Sequence, residues 1–382
     1  MRNSFTLIMP SAVFCGEDSL DNLDELLKGV NKVVIFTDQI IRSAGLLDRL
    51  LQKVNNLQIQ SVTIDDLATE PTVYQANKVI ERFRSEGADL IIAVGGGSVM
   101  DMAKLCSILN TDDYTIFDLL ENPGLGVKQT KTVMIPTTAG TGAEATPNSI
   151  VTIPEKELKV GIVNTNTIAD YVILDAEMIR KLPRKIAAAT GVDALAHAIE
   201  CFTSNKATPF SDMFAMEAMR LIFPNILPAC LEENMEAKRA VLLAAFYAGV
   251  AIAAAGTTAV HALSYPLGGK YHIAHGVSNA MLLAPVMRFN APYCMPELAS
   301  VYDTVMRGGL KDTEEKAWAV VEELERIVKE LDIPTDLNTF GVPKEDLEAL
   351  VDAGMQVTRL LNNNRRPVSR EDAKMLYQQI MP

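Results

Sequence analysis

The stretch Asp89-Leu-Ile-Ile-Ala-Val-Gly-Gly-Gly-Ser-Val-Met-Asp-Met-Ala-Lys104 decides how the first half of the chain folds. Its apolar beginning predicts a β-strand over Asp89–Val94, and the three glycines that follow open a helix. Backbone amides in such a turn can face a pyrophosphate, helped by the N-terminus of the helix. The pattern differs from the Gly-x-Gly-x-x-Gly of a Rossmann fingerprint, so the glycines could also serve only a tight strand-to-helix turn.

Strands and helices alternate on both sides of this stretch. Val33–Thr37 is a continuous apolar run, as in a parallel strand buried on both faces. The alternation predicts an α/β dinucleotide-binding domain with a doubly wound, mostly parallel sheet over residues 1–182. Further strands are predicted at residues 5–9, 12–16, 57–64 and 132–136, and a helix at residues 72–86.

Polar residues follow two of the predicted strands. Asp38 comes directly after the first apolar run, where a carboxylate can accept bonds from the ribose of NAD and repel the extra phosphate of NADP. The same position suits a helix N-cap, and the residues alone leave both interpretations open. The strand at 132–136 is followed by Thr137-Thr-Ala-Gly-Thr-Gly-Ala-Glu144, so hydroxyls and small residues at two strand ends predict a dinucleotide crevice.

The four histidines are concentrated in two apolar segments of the second half. Three of them lie in the stretch His261–His275, and His197 follows Asp193 by four residues, which places both on one face of a helix. One carboxylate with several imidazoles suits a divalent ion such as iron or zinc. The alternative is that some are buried histidines without a metal. From about Pro183 to the end the pattern is helical, which predicts an all-α helical-bundle domain over residues 183–382.

Composition limits the classes of partner. The chain has 382 residues with a net charge of −13, which argues against binding nucleic acid and favours a small-molecule partner. No stretch of eighteen apolar residues without a charge is present, and the start lacks a signal-peptide pattern, so we expect a cytoplasmic protein that does not bind a membrane. Five scattered cysteines suggest neither disulfides nor a thiolate metal site.

Four motifs together resemble the iron-containing (group III) alcohol dehydrogenases, and the resemblance runs along essentially the whole chain. It implies an N-terminal NAD-binding domain and a helical metal-binding domain, with the metal in the cleft between them. Relatives are commonly dimers or larger, so a homo-oligomer is expected. The motifs are Gly95-Gly-Gly-Ser-x-x-Asp101, Thr137-Thr-Ala-Gly-Thr-Gly142, Gly191-x-Asp-Ala-x-x-His-Ala-x-Glu200 and His261 to His275-Gly276.

The resemblance also implies site residues. Metal ligands would be Asp193, His197, His261 and His275, holding Fe²⁺ or alternatively Zn²⁺. Contacts to NAD would fall on Asp38, Gly95, Gly96, Gly97, Ser98, Asp101, Thr137, Thr138, Thr141 and Lys159. The substrate pocket would be lined by Asn148, Ile150 and Ile252.

Three positions depart from the family pattern. Glu70 precedes Pro71-Thr72 where many relatives have asparagine in a loop that contacts the cofactor, and the later Asn364-Arg365-Arg366 replaces a common Asn-Pro-Arg. Tyr265 stands where many relatives have a histidine near the substrate. Because tyrosine ordinarily has a pKa of about 10, it is a poor proton relay at neutral pH, and His272 is the candidate substitute.

The predicted chemistry is a metal-dependent hydride transfer between NAD and a primary alcohol of short or medium chain, or the reverse reduction of an aldehyde. An alternative within the family is an anionic substrate, a hydroxy acid or its semialdehyde, suggested by Arg359, Arg365 and Arg366. A lyase related to dehydroquinate synthase and a non-catalytic nucleotide-binding protein are the rivals from other classes, and this set of metal ligands suits neither.

Overall fold

The computed structural model describes residues 4–156, 158–306 and 308–381. Contacts divide this part of the chain into two compact units, and the boundary falls between Leu182 and Pro183. The described residues before Ile8 group with the second unit.

The described residues of the first unit form eight strands. Six of them form one parallel sheet in the order β1-β8-β5-β4-β2-β3, and β6 pairs with β7 in a separate antiparallel hairpin. The strands are β1 (Ala12–Cys15), β2 (Lys32–Phe36), β3 (Gln60–Ile64), β4 (Leu90–Gly95), β5 (Lys131–Pro136), β6 (Asn148–Ile153), β7 (Leu158–Val163) and β8 (Tyr171–Leu174). The predicted parallel sheet is therefore confirmed.

Along the chain, the helices of this unit alternate with the strands, as the sequence pattern predicts. They are α1 (Leu23–Leu26), α2 (Gln39–Ser43), α3 (Asp48–Asn56), α4 (Val73–Glu86), α5 (Gly97–Ile108) and α6 (Ile116–Glu121). The apolar runs form β2 and β4, two neighbouring inner strands of the sheet, where Val33–Phe36 and Leu90–Val94 are buried. Thr72 caps α4 in a reciprocal arrangement with Gln75, so this helix begins at the residue after its predicted start.

Two strand predictions need correction, and one hairpin is additional to the predicted elements. No strand forms over residues 5–9, because apolar spacing alone does not bury these side chains, and Phe5 and Ile8 remain exposed. The strand predicted from Leu57 begins at Gln60, since the backbone of Gln58 turns with a φ of 57° after α3. The hairpin formed by β6 and β7 was not predicted at all.

From Pro183 onward, the described residues of the second unit form helices and the turns that join them, with no strand. The helices are α7 (Arg184–Thr203), α8 (Pro209–Leu231), α9 (Met235–Ala255), α10 (Ala259–Tyr271), α11 (His275–Asn290), α12 (Met295–Val305), α13 (Thr313–Glu330), α14 (Leu347–Met355), α15 (Thr358–Leu361) and α16 (Arg370–Gln379). By length and composition alone, α8 and α9 are apolar enough to cross a membrane. Core helices meet the same criterion, and buried residues of both, such as Ile222 and Ala248, belong to the core of this unit.

Small residues let the helices of this unit approach closely. Gly276, the second residue of α11, lies against the backbone of α7: a Cβ atom added there would be 2.3 Å from the carbonyl oxygen of Ala189. A backbone neighbour cannot move aside as a flexible side chain can. Gly276 therefore sets the distance between α11, which begins with His275, and α7, which carries His197.

Gly276→Ala tests this contact. We expect the free energy of unfolding to fall by about 1–3 kcal/mol, because the new methyl group forces two packed helices apart. Urea denaturation monitored by circular dichroism measures the change. Gly309→Ala is the matched control, since a Cβ there meets no atom within 4 Å. Equal stability of the two variants would contradict the close-packing account.

Candidate metal centre and dinucleotide site

Three helices bring four metal-binding side chains together. Asp193 and His197 lie one turn apart on α7, His261 is the third residue of α10, and His275 is the first residue of α11. One ligand atom from each lies within 4.8 Å of every other. The structure thus places the four residues that the family resemblance implies at one point of the helical unit.

The distances suit a single divalent ion. Asp193 Oδ1 is 3.7 Å from His197 Nε2, 3.5 Å from His261 Nε2 and 3.7 Å from His275 Nε2. Four donors around an ion with bonds of about 2.1 Å would be about 3.4 Å apart in a tetrahedron. One carboxylate with three imidazoles is a donor set that iron and zinc accept. The residues present therefore fit the metal that the sequence predicts.

Burial differs among the ligands. Asp193, His197 and His261 are buried, whereas the side chain of His275 is 33% exposed. A small molecule can therefore approach the ligand set from the side of His275. Burial would raise the pKa of Asp193, but the surrounding histidines hold it far below its ordinary value, so this carboxylate stays ionised at neutral pH.

Glu200 orients the ligand His261 through the ring nitrogen that does not face the other ligands. Its side chain, on α7 and fully buried, pairs with His261 Nδ1 through Oε2. Its other oxygen accepts bonds from Thr258 N (2.9 Å), Thr258 Oγ1 (2.6 Å) and Val260 N (3.0 Å). A carboxylate on Nδ1 favours the tautomer whose Nε2 lone pair faces a metal.

Tyr265 and His272, the two residues considered for proton transfer, both belong to α10: Tyr265 lies within the helix and His272 ends it. The Tyr265 ring is half-buried, with its centroid 6.0 Å from that of His275. His272 is exposed and ends α10 in the left-handed conformation, with a φ of 54°. Its backbone N–H donates to the carbonyl of Gly268 at 3.2 Å, so His272 also has a structural role as the helix-ending residue.

In the first unit, the two predicted cofactor-binding turns lie against each other. Gly95 ends β4, Gly96 caps α5 and Gly97 begins that helix. A Cβ added to Gly97 would be 3.1 Å from Thr141 Oγ1, and one added to Gly96 would be 3.6 Å from Thr138 Oγ1. The glycines therefore leave the helix N-terminus and the threonine turn in direct contact, as a pyrophosphate site at the ends of neighbouring strands requires.

Thr137 offers a buried hydroxyl at the end of β5. The residue is 1% exposed, its N–H donates to the carbonyl of Gly95 at 3.0 Å, and among the described residues no group bonds its Oγ1. Buried hydroxyls are normally paired. This hydroxyl therefore fits a position that a bound ligand would complete.

Asp101 and Ser98 are engaged with the protein itself. The carboxylate of Asp101 accepts bonds from Lys104 Nζ at 3.3 Å and Ile150 N at 3.0 Å, which tie α5 to β6. Ser98 Oγ donates to the carbonyl oxygen of Thr69. Both side chains hold the glycine turn in place.

Glu70, one of the departures from the family pattern, pairs with a predicted cofactor contact. Its Oε1 lies 2.5 Å from Lys159 Nζ, and the Lys159 side chain is 7% exposed. The same loop is fixed to the hairpin by the bond from Thr152 N to the carbonyl of Pro71 at 2.9 Å. In this chain a carboxylate therefore already neutralises the ammonium group predicted to face the cofactor.

The three predicted pocket residues divide between the units. Asn148 and Ile150 are half-buried on β6. Ile252 is half-buried on α9 and packs against a cluster that includes Cys201 and Ala251.

Sequence reasoning missed two buried polar residues beside the metal ligands. Glu200 ends the motif that contains Asp193 and His197, but the sequence alone assigns it no role. Asn279 lies outside the four motifs. Asn279 follows His275 by four residues, the same spacing that joins Asp193 to His197, and it has a buried side chain. That spacing was the available signal, since residues four apart share a helix face.

Comparison with known proteins identifies the family. The family model "Iron-containing alcohol dehydrogenase" matches residues 10–176, and "Fe-containing alcohol dehydrogenase family, C-terminal" matches residues 187–381. The chain belongs to the iron-containing alcohol dehydrogenases. The predicted family and fold class are therefore confirmed, and the chain is an oxidoreductase.

The similar proteins are named for different substrates. The long-chain-alcohol dehydrogenase 1 of Geobacillus thermodenitrificans is 33% identical over 379 residues, which cover 97% of this chain and 95% of that protein. The 4-hydroxybutyrate dehydrogenase of Clostridium kluyveri is 35% identical over 317 residues, which cover 81% and 84%. The crystal structure of a 1,3-propanediol oxidoreductase matches with a TM-score of 0.92 and 28% identity, covering 99% and 100%. NAD-dependent enzymes are among the relatives of this family member.

Asp38 is the N-cap of α2 in this alcohol dehydrogenase: its Oδ1 accepts a bond from Ile41 N at 2.8 Å. The helix-cap interpretation therefore holds. A carboxylate has a second oxygen, so the cap does not occupy the whole group.

Substitutions at Asp38 separate its charge from its cap. Asp38→Asn keeps a capping side chain and Asp38→Gly removes it, while both remove the charge that would repel the 2′-phosphate of NADP. We expect both to raise kcat/KM for NADP relative to NAD, on the order of tenfold. Steady-state kinetics with each cofactor measures the ratio. An unchanged ratio in both variants would leave Asp38 with the cap alone.

Proposed function

We propose that this family member transfers a hydride between a primary alcohol of short or medium chain and NAD, at a divalent metal held by the helical unit. The observation that carries the proposal is the convergence of four side chains on one point. They are Asp193, His197, His261 and His275. Fe²⁺ is the proposed ion, as the family name suggests, with Zn²⁺ as an alternative that the same donors accept.

The ion, NAD and the surrounding residues would have separate roles in the reaction. The ion would withdraw electron density from the oxygen of the alcohol or aldehyde, and NAD would accept or supply the hydride. Asp193 supplies the one negative charge of the ligand set, so an ion bound there keeps a net positive charge. Glu200 holds His261 with its Nε2 toward the other ligands. The partial exposure of His275 leaves room for the substrate.

The first unit supplies the proposed NAD site. The supporting features are the helix N-terminus at Gly97, the adjacent threonine turn and the buried hydroxyl of Thr137. Asp38, Gly95, Gly96, Ser98, Asp101, Thr138, Thr141 and Lys159 complete the proposed contact set. We expect the pair between Glu70 and Lys159 to limit how strongly that lysine attracts a phosphate, because its charge is already compensated.

Proton transfer is assigned to His272, and the ring of Tyr265 lies beside the ligand His275. An imidazole that is exposed to water can exchange a proton with solvent at neutral pH. The exposure of His272 and its position three residues before His275 support this role. The proton would pass between the substrate oxygen and this imidazole through water.

The alternative substrate is a hydroxy acid or its semialdehyde. The name of the 4-hydroxybutyrate dehydrogenase that this chain resembles favours it. Two of the three arginines that suggested it are engaged with the protein: Arg365 pairs with Glu297 at 2.6 Å, and Arg366 lies over the ring of Phe289 at 3.8 Å. We therefore retain the uncharged alcohol as the proposal. Comparing kcat/KM for 1-butanol and 4-hydroxybutyrate separates the two.

Small-molecule alcohols or aldehydes are the proposed partners. A cytoplasmic location and a homo-oligomer, dimeric or larger, also remain proposals. Sedimentation of the purified protein measures the oligomeric state.

Removing either of two ligands tests the metal site. We expect His261→Ala and His275→Ala to lose metal and turnover, because three donors hold the ion far less tightly than four. NAD binding to the first unit should persist, since the cofactor contacts lie outside the helical unit. Metal analysis after dialysis and NAD titration by calorimetry measure the two properties. Wild-type metal content and turnover in either variant would exclude the assignment.

A further inference from the structure

One buried amide lies among the ligand atoms. Asn279, on α11, follows His275 by one helical turn and is 0% exposed. Its Nδ2 is 2.7 Å from Asp193 Oδ1, 3.0 Å from His261 Nε2 and 3.2 Å from His275 Nε2. A single nitrogen therefore contacts ligand atoms from three different helices.

The orientation of this amide follows from hydrogen-bond chemistry. An ionised carboxylate can only accept hydrogen bonds. Of the two polar atoms of the asparagine amide, only the nitrogen donates. The nitrogen must therefore face Asp193. This leaves Asn279 Oδ1 turned away, buried and, among the residues that the structure describes, without a hydrogen-bond partner. Such a carbonyl costs about 1–3 kcal/mol, so packing alone does not account for the asparagine.

We propose that Asn279 is a positioning residue that holds the metal ligands in their binding arrangement. Its N–H donates to Asp193 Oδ1 and fixes the rotation of the carboxylate, while a second lone pair of that oxygen remains available to an ion. Its contacts to His261 Nε2 and His275 Nε2 join the first turns of α10 and α11 to Asp193 on α7. The inference rests on the proposed metal site.

The effect of removing the amide follows from this geometry. Without the donor, the Asp193 side chain can rotate away from the other ligands. Binding of an ion must then also fix this side chain, which weakens the affinity for the metal. Hydrogen bonds to ligating carboxylates typically change metal affinity by about 10- to 100-fold. A purely structural asparagine would change stability and leave metal affinity unaltered.

Two substitutions of Asn279 test the proposal in the full-length protein. Asn279→Leu keeps the number and branching of the side-chain heavy atoms and removes the donor. Asn279→Ser is the smaller variant, to be measured if the leucine variant does not fold. Competition between metal-free protein and a chelating dye gives the Kd for Zn²⁺. We expect it to rise by about 10- to 100-fold. The visible spectrum of the Co²⁺-loaded protein should also change, because it reports the arrangement of the ligands.

Asn290 offers a matched control on the same helix. It is 1% exposed and exchanges two bonds with Asn364, of 2.9 Å and 2.8 Å. Asn290→Leu should therefore lower stability as much as the Asn279 variants, with an unchanged Kd for Zn²⁺. Equal weakening in both sets of variants would overturn the proposal, since it would reflect general loosening of α11.

The outcomes separate this inference from the proposed function. If wild-type protein binds no divalent ion, the proposed metal site itself is wrong. If wild-type protein binds Zn²⁺ and a folded Asn279 variant binds it with the same Kd and the same Co²⁺ spectrum, only the role of Asn279 is overturned.

Discussion

The helical unit depends on one buried carboxylate. Asp193 is 1% exposed, and a charge removed from water is tolerated only when opposite charge or hydrogen bonds compensate it. In this unit the amide of Asn279 donates to one oxygen of Asp193, three histidines surround that oxygen, and a bound ion would supply the opposite charge. The compensating groups must all lie within a few ångströms of one oxygen. Because His275 must reach Asp193, α11 has to approach α7 as closely as the glycine at position 276 permits.

A different constraint shapes the first unit. Parallel strands end on the same edge of a sheet, so the residues that follow them are brought together whatever their distance along the chain. The glycine turn after β4 and the threonine turn after β5 contact each other for this reason. The same region contains buried polar side chains: Lys104 on α5 is 0% exposed, and burial raises the pKa of Glu144 to about 7. Lys104 Nζ donates to the carbonyl oxygen of Asn148 at 2.8 Å, which ties α5 to β6.

Much of this arrangement could be predicted from the sequence because it depends on local pattern. Continuous apolar runs correspond to the central strands, and the four-residue spacing of Asp193 and His197 places both on one helix face. The strand predicted over residues 5–9 failed because it lacked burial, which spacing does not measure. Glu200 and Asn279 were missed because their significance lies in contacts with residues on other helices. The pairing of Glu70 with Lys159 likewise joins positions 89 residues apart, which no local pattern indicates.

The proposed chemistry depends on an ion held by Asp193 and the three histidines around it. The most direct measurement is alcohol-dependent formation of NADH by purified protein, before and after removal of metal with a chelator and again after addition of Fe²⁺ or Zn²⁺. We expect activity that disappears with the metal and returns when one of these ions is restored. Undiminished NADH formation by protein shown by metal analysis to be free of divalent ions would contradict it.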